Sequence, residues 1–359
     1  MVEIQKANMM QIAEHCGVSL KTVSRVLNHP EQVSPKTRDA VRKSMEQCGF
    51  QVNLLAKGLK QNRTNIIIVF LDKHNGDYMN LWRSEMLKYL FRYSSGIGLK
   101  IIVSPSDSHG FLEDETDGFY LLSSGIADGA ILLEHMAKDQ RIEYLKRTGT
   151  PYVVLGQPEE QDIPAVSLDN FDVGLKGGGY LKEKGFKKIC YLTNDANFYS
   201  TKLRVGGFLK AVPEGRVVYG VKDAKTAYER TRELLQEGAA DSIFTNGDNR
   251  FLGIYRAAAE CGYRIPQDLG VLSADDLAVN EEAYPSLSSL GQDFEGLAEN
   301  CITLLQSLLQ KKQCHEALIR EQIFLPSTIK ERESTRITGI AGTCLLYTSP
   351  SPRDRTRSR

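Results

Sequence analysis

The chain has 359 residues, of which 41% are apolar, so it can bury more than one hydrophobic core and is long for a single domain. Its formal net charge is zero, but residues 1–63 carry 10 Lys and Arg against 5 Asp and Glu, whereas residues 64–343 carry 31 against 39. The seven cysteines form no C-x-x-C pair, the N-terminus has no apolar signal segment, and the longest aliphatic run, Ile66–Leu71, is too short to cross a bilayer. These features exclude a disulfide framework and a paired-cysteine zinc site, and they predict a cytoplasmic protein with a basic N-terminal module.

The first fifty residues predict three short helices. Gly17 follows a brief amphipathic helix, and Ser19 is a suitable N-cap for a second helix over Leu20–Leu27. Ser34 is the expected N-cap of a third helix, which Gly49 ends. Polar residues cover the outer surface of the second helix: Lys21, Thr22, Ser24, Arg25 and Asn28. This arrangement predicts a helix-turn-helix that enters the major groove of DNA, the alternative being an ordinary two-helix turn in a core.

From Ile66 onward, short aliphatic runs alternate with longer helix-like stretches, a pattern typical of parallel α/β sheets with both faces covered. The first series of predicted strands is Ile66–Leu71, Lys100–Val103, Gly129–Leu133, Tyr152–Leu155 and Val166–Leu168. The second series is Ile189–Leu192, Val217–Tyr219, Ser242–Phe244 and Gly270–Ser273. Two series predict two similar layers with ligand space between them. The run Gly177-Gly178-Gly179 falls inside a predicted helix, at a cost of up to about 1 kcal/mol for each glycine, without an evident reason.

The N-terminal run from Ala13 to Asn28, A-x-x-x-G-V-S-x-x-T-V-S-R-V-L-N, is followed by Val33-Ser34-x-x-Thr37-Arg38 and Asn53-x-x-Ala56-x-x-Leu59. This string resembles the headpiece of LacI/GalR repressors, and the resemblance continues more weakly to Arg336. It implies a mixed α/β chain: a small all-α helix-turn-helix headpiece over residues 1–52, a hinge over 53–64, and a periplasmic-binding-protein-like body over 65–343. The body is expected to hold two interleaved, Rossmann-like parallel-sheet subdomains.

The resemblance also assigns roles in the headpiece. Leu20 and Lys21 occupy the two variable recognition positions, and Arg25 occupies the base-contacting position, where guanine is the expected target because Arg can bond its O6 and N7 together. The remaining matching positions touch phosphates or cap the helix: Ser19, Thr22, Ser24 and Asn28.

In the family, the segment Asn53–Lys60 becomes helical in the minor groove of the DNA. The resemblance places Asn53 and Ala56 in that hinge, and Leu59 where a leucine from each subunit wedges into the central base step. The alternative for Leu59 is a linker leucine buried against the body. Val52 departs from the pattern, because a proline commonly precedes the Asn.

Weaker matches in the body imply an effector site. Arg204 lies in an R-x-x-G-[FW] element, Asp275 ends a D-[IL]-x-V-x-G-[YF]-D-[DN] element, and Gln292 begins a Q-[DP] element. With Asn246, they are expected to bind a small polar molecule, most naturally a sugar, with Arg204 and Asp275 facing each other across a cleft. The alternative is a surface Arg and a strand-end Asp in structural salt bridges.

Other body positions depart from the family pattern. Gly156 replaces an acidic residue found in some members, and Ala274 replaces an aromatic residue. In Asn246-Gly247-Asp248, the sequence leaves open which side chain points inward.

The function that these features imply is a homodimeric repressor that binds a pseudo-palindromic double-stranded DNA operator and responds to a sugar-like effector. One alternative is a family member controlled by a partner protein, and another, much weaker, is a pure sugar-binding protein. The sequence contains no G-x-G-x-x-G, P-loop, G-x-S-x-G or H-E-x-x-H motif. We therefore expect no catalytic residue, no metal ligand, no cofactor and no membrane partner.

The last stretch, 344–359, is rich in Ser, Pro and Arg and has no apolar periodicity. Residues 344–354, CLLYTSPSPRD, resemble a sequencing adaptor translated in one frame. The segment is accordingly interpreted as a non-native tail and left out of the fold.

Overall fold

The computed structural model describes residues 7–50, 63–73, 80–111, 114–133, 138–316 and 320–336. The chain divides into two units, residues 1–65 and residues 66–359. The predicted hinge residues Asn53, Ala56 and Leu59, and the tail from Cys344 onward, lie outside the described residues. No helix in these described ranges combines the length and the apolar content needed to span a membrane.

The N-terminal unit contains three helices, α1 (Met9–His15), α2 (Leu20–Asn28) and α3 (Pro35–Gln47). As predicted, Ser19 and Ser34 are the N-caps of α2 and α3, each accepting a hydrogen bond from the backbone N–H three residues on, at 3.1 and 3.3 Å. Each helix buries one apolar face in a shared core: Ile12, Ala13, Val23, Val26 and Val41. The polar side of α2 is therefore left on the surface.

The second unit is built on two six-stranded sheets. The first sheet contains β1 (Ile66–Asp72), β2 (Lys100–Ser106), β3 (Gly129–Leu133), β4 (Tyr152–Leu155), β5 (Ala165–Leu168) and β11 (Gln322–Leu325). The second contains β6 (Ile189–Leu192), β7 (Arg216–Val218), β8 (Ser242–Thr245), β9 (Gly270–Asp275), β10 (Ser288–Gly291) and β12 (Thr328–Lys330). Their orders are β11-β5-β4-β3-β1-β2 and β12-β10-β9-β8-β6-β7, and β12 alone pairs antiparallel.

Helices cover the faces of both sheets: α4 (Leu81–Gly96), α5 (Gly118–Ser123), α6 (Gln140–Thr148), α7 (Asn170–Glu183), α8 (Tyr199–Ala211), α9 (Ala224–Gln236), α10 (Phe251–Glu260), α11 (Val279–Glu282) and α12 (Phe294–Gln313). The chain passes between the sheets three times, after β5, after β10 and after β11. The predicted fold class, with two interleaved parallel-sheet subdomains, is confirmed. All nine predicted strands are present. Three further strands, β10, β11 and β12, were not predicted because they are short and partly polar.

Close packing explains three of the four glycines in α7, Gly174, Gly177 and Gly178, whereas a Cβ on Gly179 would meet nothing within 4 Å. A Cβ on Gly174 would lie 1.8 Å from the carbonyl oxygen of Arg204, and one on Gly207 would lie 2.0 Å from the carbonyl oxygen of Phe171. A Cβ on Gly177 would lie 2.7 Å from the ring of Phe244, on β8 of the second sheet. The intrinsic cost of these glycines in a helix is therefore offset by contact between two helix backbones and by packing on the second sheet.

We expect Gly177→Ala to lower the free energy of unfolding of the body by about 1–3 kcal/mol, because the added methyl group has no space beside the buried Phe244 ring. Gly179→Ala is the matched control, since a Cβ there meets nothing within 4 Å. The control should be neutral or stabilising by up to about 1 kcal/mol through helix propensity. Urea denaturation of both variants measures the difference, and equal effects would contradict the packing explanation.

Candidate functional site

The outward face of α2 carries the residues that the sequence assigns to DNA contact. Leu20 is 45% exposed, and Lys21 and Arg25 are exposed as well. Within the described parts of the chain, the side chains of Lys21 and Arg25 form no hydrogen bond and no ion pair. A leucine and two cations are therefore available on one short helix to contact a ligand.

The polar residues around them are engaged within α2 itself. The hydroxyl groups of Ser19 and Thr22 lie 2.9 Å apart at the N-terminus of the helix. At the other end, the side-chain amide of Asn28 donates to the carbonyl oxygen of Ser24 at 2.9 Å. These contacts fix both ends of the helix that presents Leu20 and Arg25.

A cavity of about 640 Å³ lies between the two sheets of the second unit, at the carboxyl ends of their strands. Its polar lining includes all four residues that the sequence assigns to the effector: Arg204, Asn246, Asp275 and Gln292. This location follows from the fold, because the ends of parallel strands meet at one edge of a sheet and leave a crevice outside it.

Arg204 and Asp275 line this one cavity, but the prediction that they face each other across it is wrong. Arg204 lies on α8, which follows β6, and Asp275 is the last residue of β9, so both belong to the second subdomain. Strand order decides this arrangement, since β6 and β9 are both part of the second sheet. The opposite wall is provided by residues of the first subdomain, including Gly156 and Gln157 after β4 and Arg83 on α4.

Asn170, at the start of α7, connects the two walls. Its side-chain amide donates to Gln157 Oε1 at 2.9 Å, and its Oδ1 accepts from Arg204 Nε at 2.7 Å. Arg204 Nη1 also donates to Asn246 Oδ1. The guanidinium is thus held in the cavity by amide oxygens.

Asp275 is held at a strained turn. Its φ is 124° and that of Asp276 is 61°, values that non-glycine residues rarely adopt and that concentrate at functional sites. Gln292 Nε2 donates to Asp275 Oδ1, and Trp82 Nε1 donates to Gln292 Oε1 at 3.1 Å. This chain of hydrogen bonds runs from α4, on the first sheet, to the end of β9 in the second.

The geometry also decides between the residues of Asn246-Gly247-Asp248. Asn246 lines the cavity, whereas Asp248 is fully buried behind it. Asp248 accepts hydrogen bonds from two serine hydroxyl groups, one amide side chain and one backbone N–H: Ser273, Ser289, Asn280 and Leu277. Its own backbone N–H donates to Asp275 Oδ2 at 3.4 Å. Asp248 is therefore a structural residue that positions the cavity residues.

The cavity lining also contains residues that were not predicted from the sequence, among them Trp82, Gln157, Asn170 and Arg250. Gln157 and Asn170 each come two residues after a predicted strand, β4 and β5, so their position near strand ends is a signal that could have identified them. Trp82 and Arg250 carry no such signal.

Comparisons with known proteins agree with this two-part organisation. Residues 8–53 match the family model described as bacterial regulatory proteins, lacI family, and residues 179–335 match the periplasmic binding protein-like domain. The transcriptional regulator CelR of Thermobifida fusca is 29% identical over 84% of this chain and 91% of its own length.

Two solved structures share the fold. The lac repressor dimer bound to operator and the anti-inducer ONPF has a TM-score of 0.80 at 24% identity and covers 92% of this chain and 99% of its own. A CelR–cellobiose complex has a TM-score of 0.67 at 25% identity and covers 92% of this chain and all of its own. A helix-turn-helix domain joined to a periplasmic-binding-protein-like body defines a class of DNA-binding transcriptional regulators. This chain carries both parts, a DNA-binding domain of the lacI family and a periplasmic-binding-protein-like domain.

Burial in the cavity wall predicts a pH dependence of stability. Burial raises the pKa of Asp275 above its ordinary value of 3.8, and the neighbouring Asp248 raises it further. Above about pH 4 the folded protein then binds more protons than the unfolded chain, so the free energy of unfolding falls as the pH rises. Asp275→Asn should remove this loss, which amounts to about 1.4 kcal/mol for each unit of raised pKa.

Urea unfolding at pH 5 and pH 8, followed by the fluorescence of Trp82, the single tryptophan, measures this effect. The variant should be more stable than the wild type at pH 8, with a smaller difference at pH 5. Asp268→Asn is the control, because Arg264 lowers the pKa of that exposed carboxylate to about 2. Parallel pH profiles for wild type and Asp275→Asn would contradict the prediction.

Proposed function

We propose that this protein is a homodimeric transcriptional repressor whose affinity for a pseudo-palindromic operator is controlled by a small polyhydroxylated effector in the cavity of the body. The observation that carries the proposal is the cavity itself, where side chains of both subdomains converge on one polar space. The relatives support it, since one is a repressor dimer on its operator and another is in complex with cellobiose. We assign the headpiece to residues 1–52, the hinge to 53–64 and the body to 65–343.

In this proposal α2 is the recognition helix. Its N-terminal residues Leu20 and Lys21 and the exposed Arg25 enter the major groove, with Arg25 donating two hydrogen bonds to a guanine. Ser19, Thr22, Ser24 and Asn28 hold the helix and contact phosphates. A two-fold dimer presents two such helices to two half-sites, while Asn53, Ala56 and Leu59 act in the minor groove between them.

The effector acts by closing the cavity. Arg204, Asn246, Asp275 and Gln292 bind it from the second subdomain, and Gln157 from the first. A ligand that bridges the two walls favours the closed arrangement by its differential affinity, typically about 1–3 kcal/mol of coupling free energy. The two subdomains are joined by three crossings of the chain, so one subdomain can rotate against the other when the cavity closes. In the proposed dimer, this rotation changes the separation of the two headpieces.

Arg25→Ala tests the DNA-binding part. The variant should lose about 1–3 kcal/mol of binding free energy for a duplex selected from a random library by the wild type, and it should relax the preference at one base pair. Arg230→Ala, which removes an exposed cation from α9 of the body, should bind like the wild type. Equal loss on random-sequence DNA would mean that Arg25 contacts only phosphate.

Arg204→Ala tests the switch. A thermal-shift screen of sugars and nucleobases on the wild type supplies the effector, and electrophoretic mobility shifts then measure operator affinity with and without it. The variant should bind operator normally but lose at least about tenfold in its response to the effector. Lys202→Ala, an exposed residue on the same helix, should respond like the wild type. An unchanged response in Arg204→Ala would remove that residue from the mechanism.

A further inference from the structure

Two arginines meet at one neutral residue in the cavity wall. Arg204 Nη1 donates to the side-chain oxygen of Asn246, and Arg250 Nη1 donates to the backbone oxygen of the same residue. Both guanidinium groups line the cavity. Two cations therefore contact the same neutral residue, and their charges repel each other unless an anion is near.

Their remaining partners are also neutral. Arg204 Nε donates to Asn170, and Arg250 donates from Nε to the carbonyl oxygen of Val221 at 2.8 Å and from Nη2 to the side chain of Asn194. In the described ranges, no carboxylate oxygen lies within 4.0 Å of either guanidinium. Arg250 is only 6% exposed, so water compensates little of its charge.

Arg141, another buried arginine of the body, has charged hydrogen-bond partners. Arg141, also fully buried, lies 3.1 Å from Asp72 and 2.6 Å from Asp139. Its charge is thus compensated by carboxylates of the chain itself. The chain thus supplies ion-pair partners to Arg141 but, in the described ranges, none within 4.0 Å of Arg204 or Arg250.

The carboxylates that line the cavity are engaged elsewhere. Asp195 pairs with Lys222 at 3.4 Å, and Asp223 caps α9 by accepting from the backbone of Thr226 at 2.7 Å. Asp275 accepts hydrogen bonds from Gln292 and from the backbone of Asp248. Burial raises the pKa of Asp275, and the charges of Arg204 and Arg250 oppose part of that rise. None of them forms an ion pair with either guanidinium.

Gly247 makes room for this arrangement. Its φ is 93°, and a Cβ there would lie 2.6 Å from Arg250 Nη1 and 3.5 Å from Asp275 Oδ2. A side chain at position 247 would push the guanidinium away from the cavity. The glycine in Asn246-Gly247-Asp248 is therefore coupled to the arginine three residues later.

Within the effector-binding function proposed above, we propose that the effector is a small polyhydroxylated anion, such as a sugar acid or a sugar phosphate, whose anionic group is bound jointly by Arg204 and Arg250. Guanidinium groups bind carboxylate and phosphate oxygens through paired hydrogen bonds. The hydroxyl groups of the ligand then meet Asn246, Gln157 and Asp275, which supply amide and carboxyl groups along the rest of the wall.

The test compares charged probes with neutral ones of similar shape on the full chain by thermal unfolding. The pairs are gluconate with sorbitol, glucuronate with glucose, and glucose 6-phosphate with glucose, and sulfate is compared with chloride at matched ionic strength. The anionic member should raise Tm by about 5 °C at about 100 times its Kd, and the neutral member should not. The acid and phosphate pairs distinguish carboxylate from phosphate recognition.

Arg250→Met should abolish the difference between anionic and neutral probes. Arg264→Met, which removes an exposed arginine paired with Asp268, should keep it. If Arg250→Met does not fold, Arg250→Lys keeps the charge without the planar donor pair and should show a reduced but measurable preference for anions. Stabilisation by neutral probes alone, or anion effects of equal size in wild type and the Arg250 variant, would overturn the proposal.

Operator binding by the same wild-type samples separates this inference from the function on which it rests. Specific binding to a selected duplex without any anion response removes only the ligand class. An anion response without operator binding removes the regulator function and leaves the anion site.

Discussion

The carboxylate of Asp248 is the contact on which the cavity wall of the second subdomain depends. It is fully buried, and a polar group that leaves water is unfavourable unless hydrogen bonds replace its hydration. Here four donors converge on it from separate segments around β9 and β10: Ser273, Ser289, Leu277 and Asn280. Since its own backbone also bonds to Asp275, this one residue fixes the turn that presents Asn246 and Arg250 and the strand end that presents Asp275.

The helices behind the cavity contribute through their packing. Because Gly174 and Gly207 lack side chains, the backbones of α7 and α8 touch, and Asn170 at the start of α7 comes within hydrogen-bonding distance of Arg204 on α8. Asn170 also bonds to Gln157 of the first subdomain. The close packing of α7 on α8 therefore also sets the position of Asn170 in the cavity. If the helices moved apart by the width of a methyl group, Asn170 and Arg204 would no longer be within hydrogen-bonding distance.

The two walls differ in chemistry, which bears on how a ligand could move them. The wall of the first subdomain includes the amide of Gln157 and the cation Arg83, whereas the wall of the second includes Asp275 and two arginines with neutral hydrogen-bond partners. Across them runs the chain of hydrogen bonds from Trp82 through Gln292 to Asp275. A bound molecule that replaces one of these hydrogen bonds acts on both subdomains at once. Such an action on both subdomains is required if ligand binding is to change their relative arrangement.

Local patterns in the sequence predicted the helix-turn-helix and the nine strands of the two main series, because caps, turns and periodicity are properties of neighbouring residues. The resemblance to a family, and no local pattern, pointed to Arg204, Asn246, Asp275 and Gln292. The tertiary structure alone decided that Arg204 and Asp275 share one wall, since that depends on which sheet each strand joins. It also decided that Asp248 is structural and that Arg250 reaches the cavity, because both depend on partners far away in the chain. The same holds for Gly174 and Gly177 in α7, since the atoms that leave no room for a side chain there belong to residues distant in sequence. It also holds for the short strands β10, β11 and β12, which form only because strands distant in sequence pair with them.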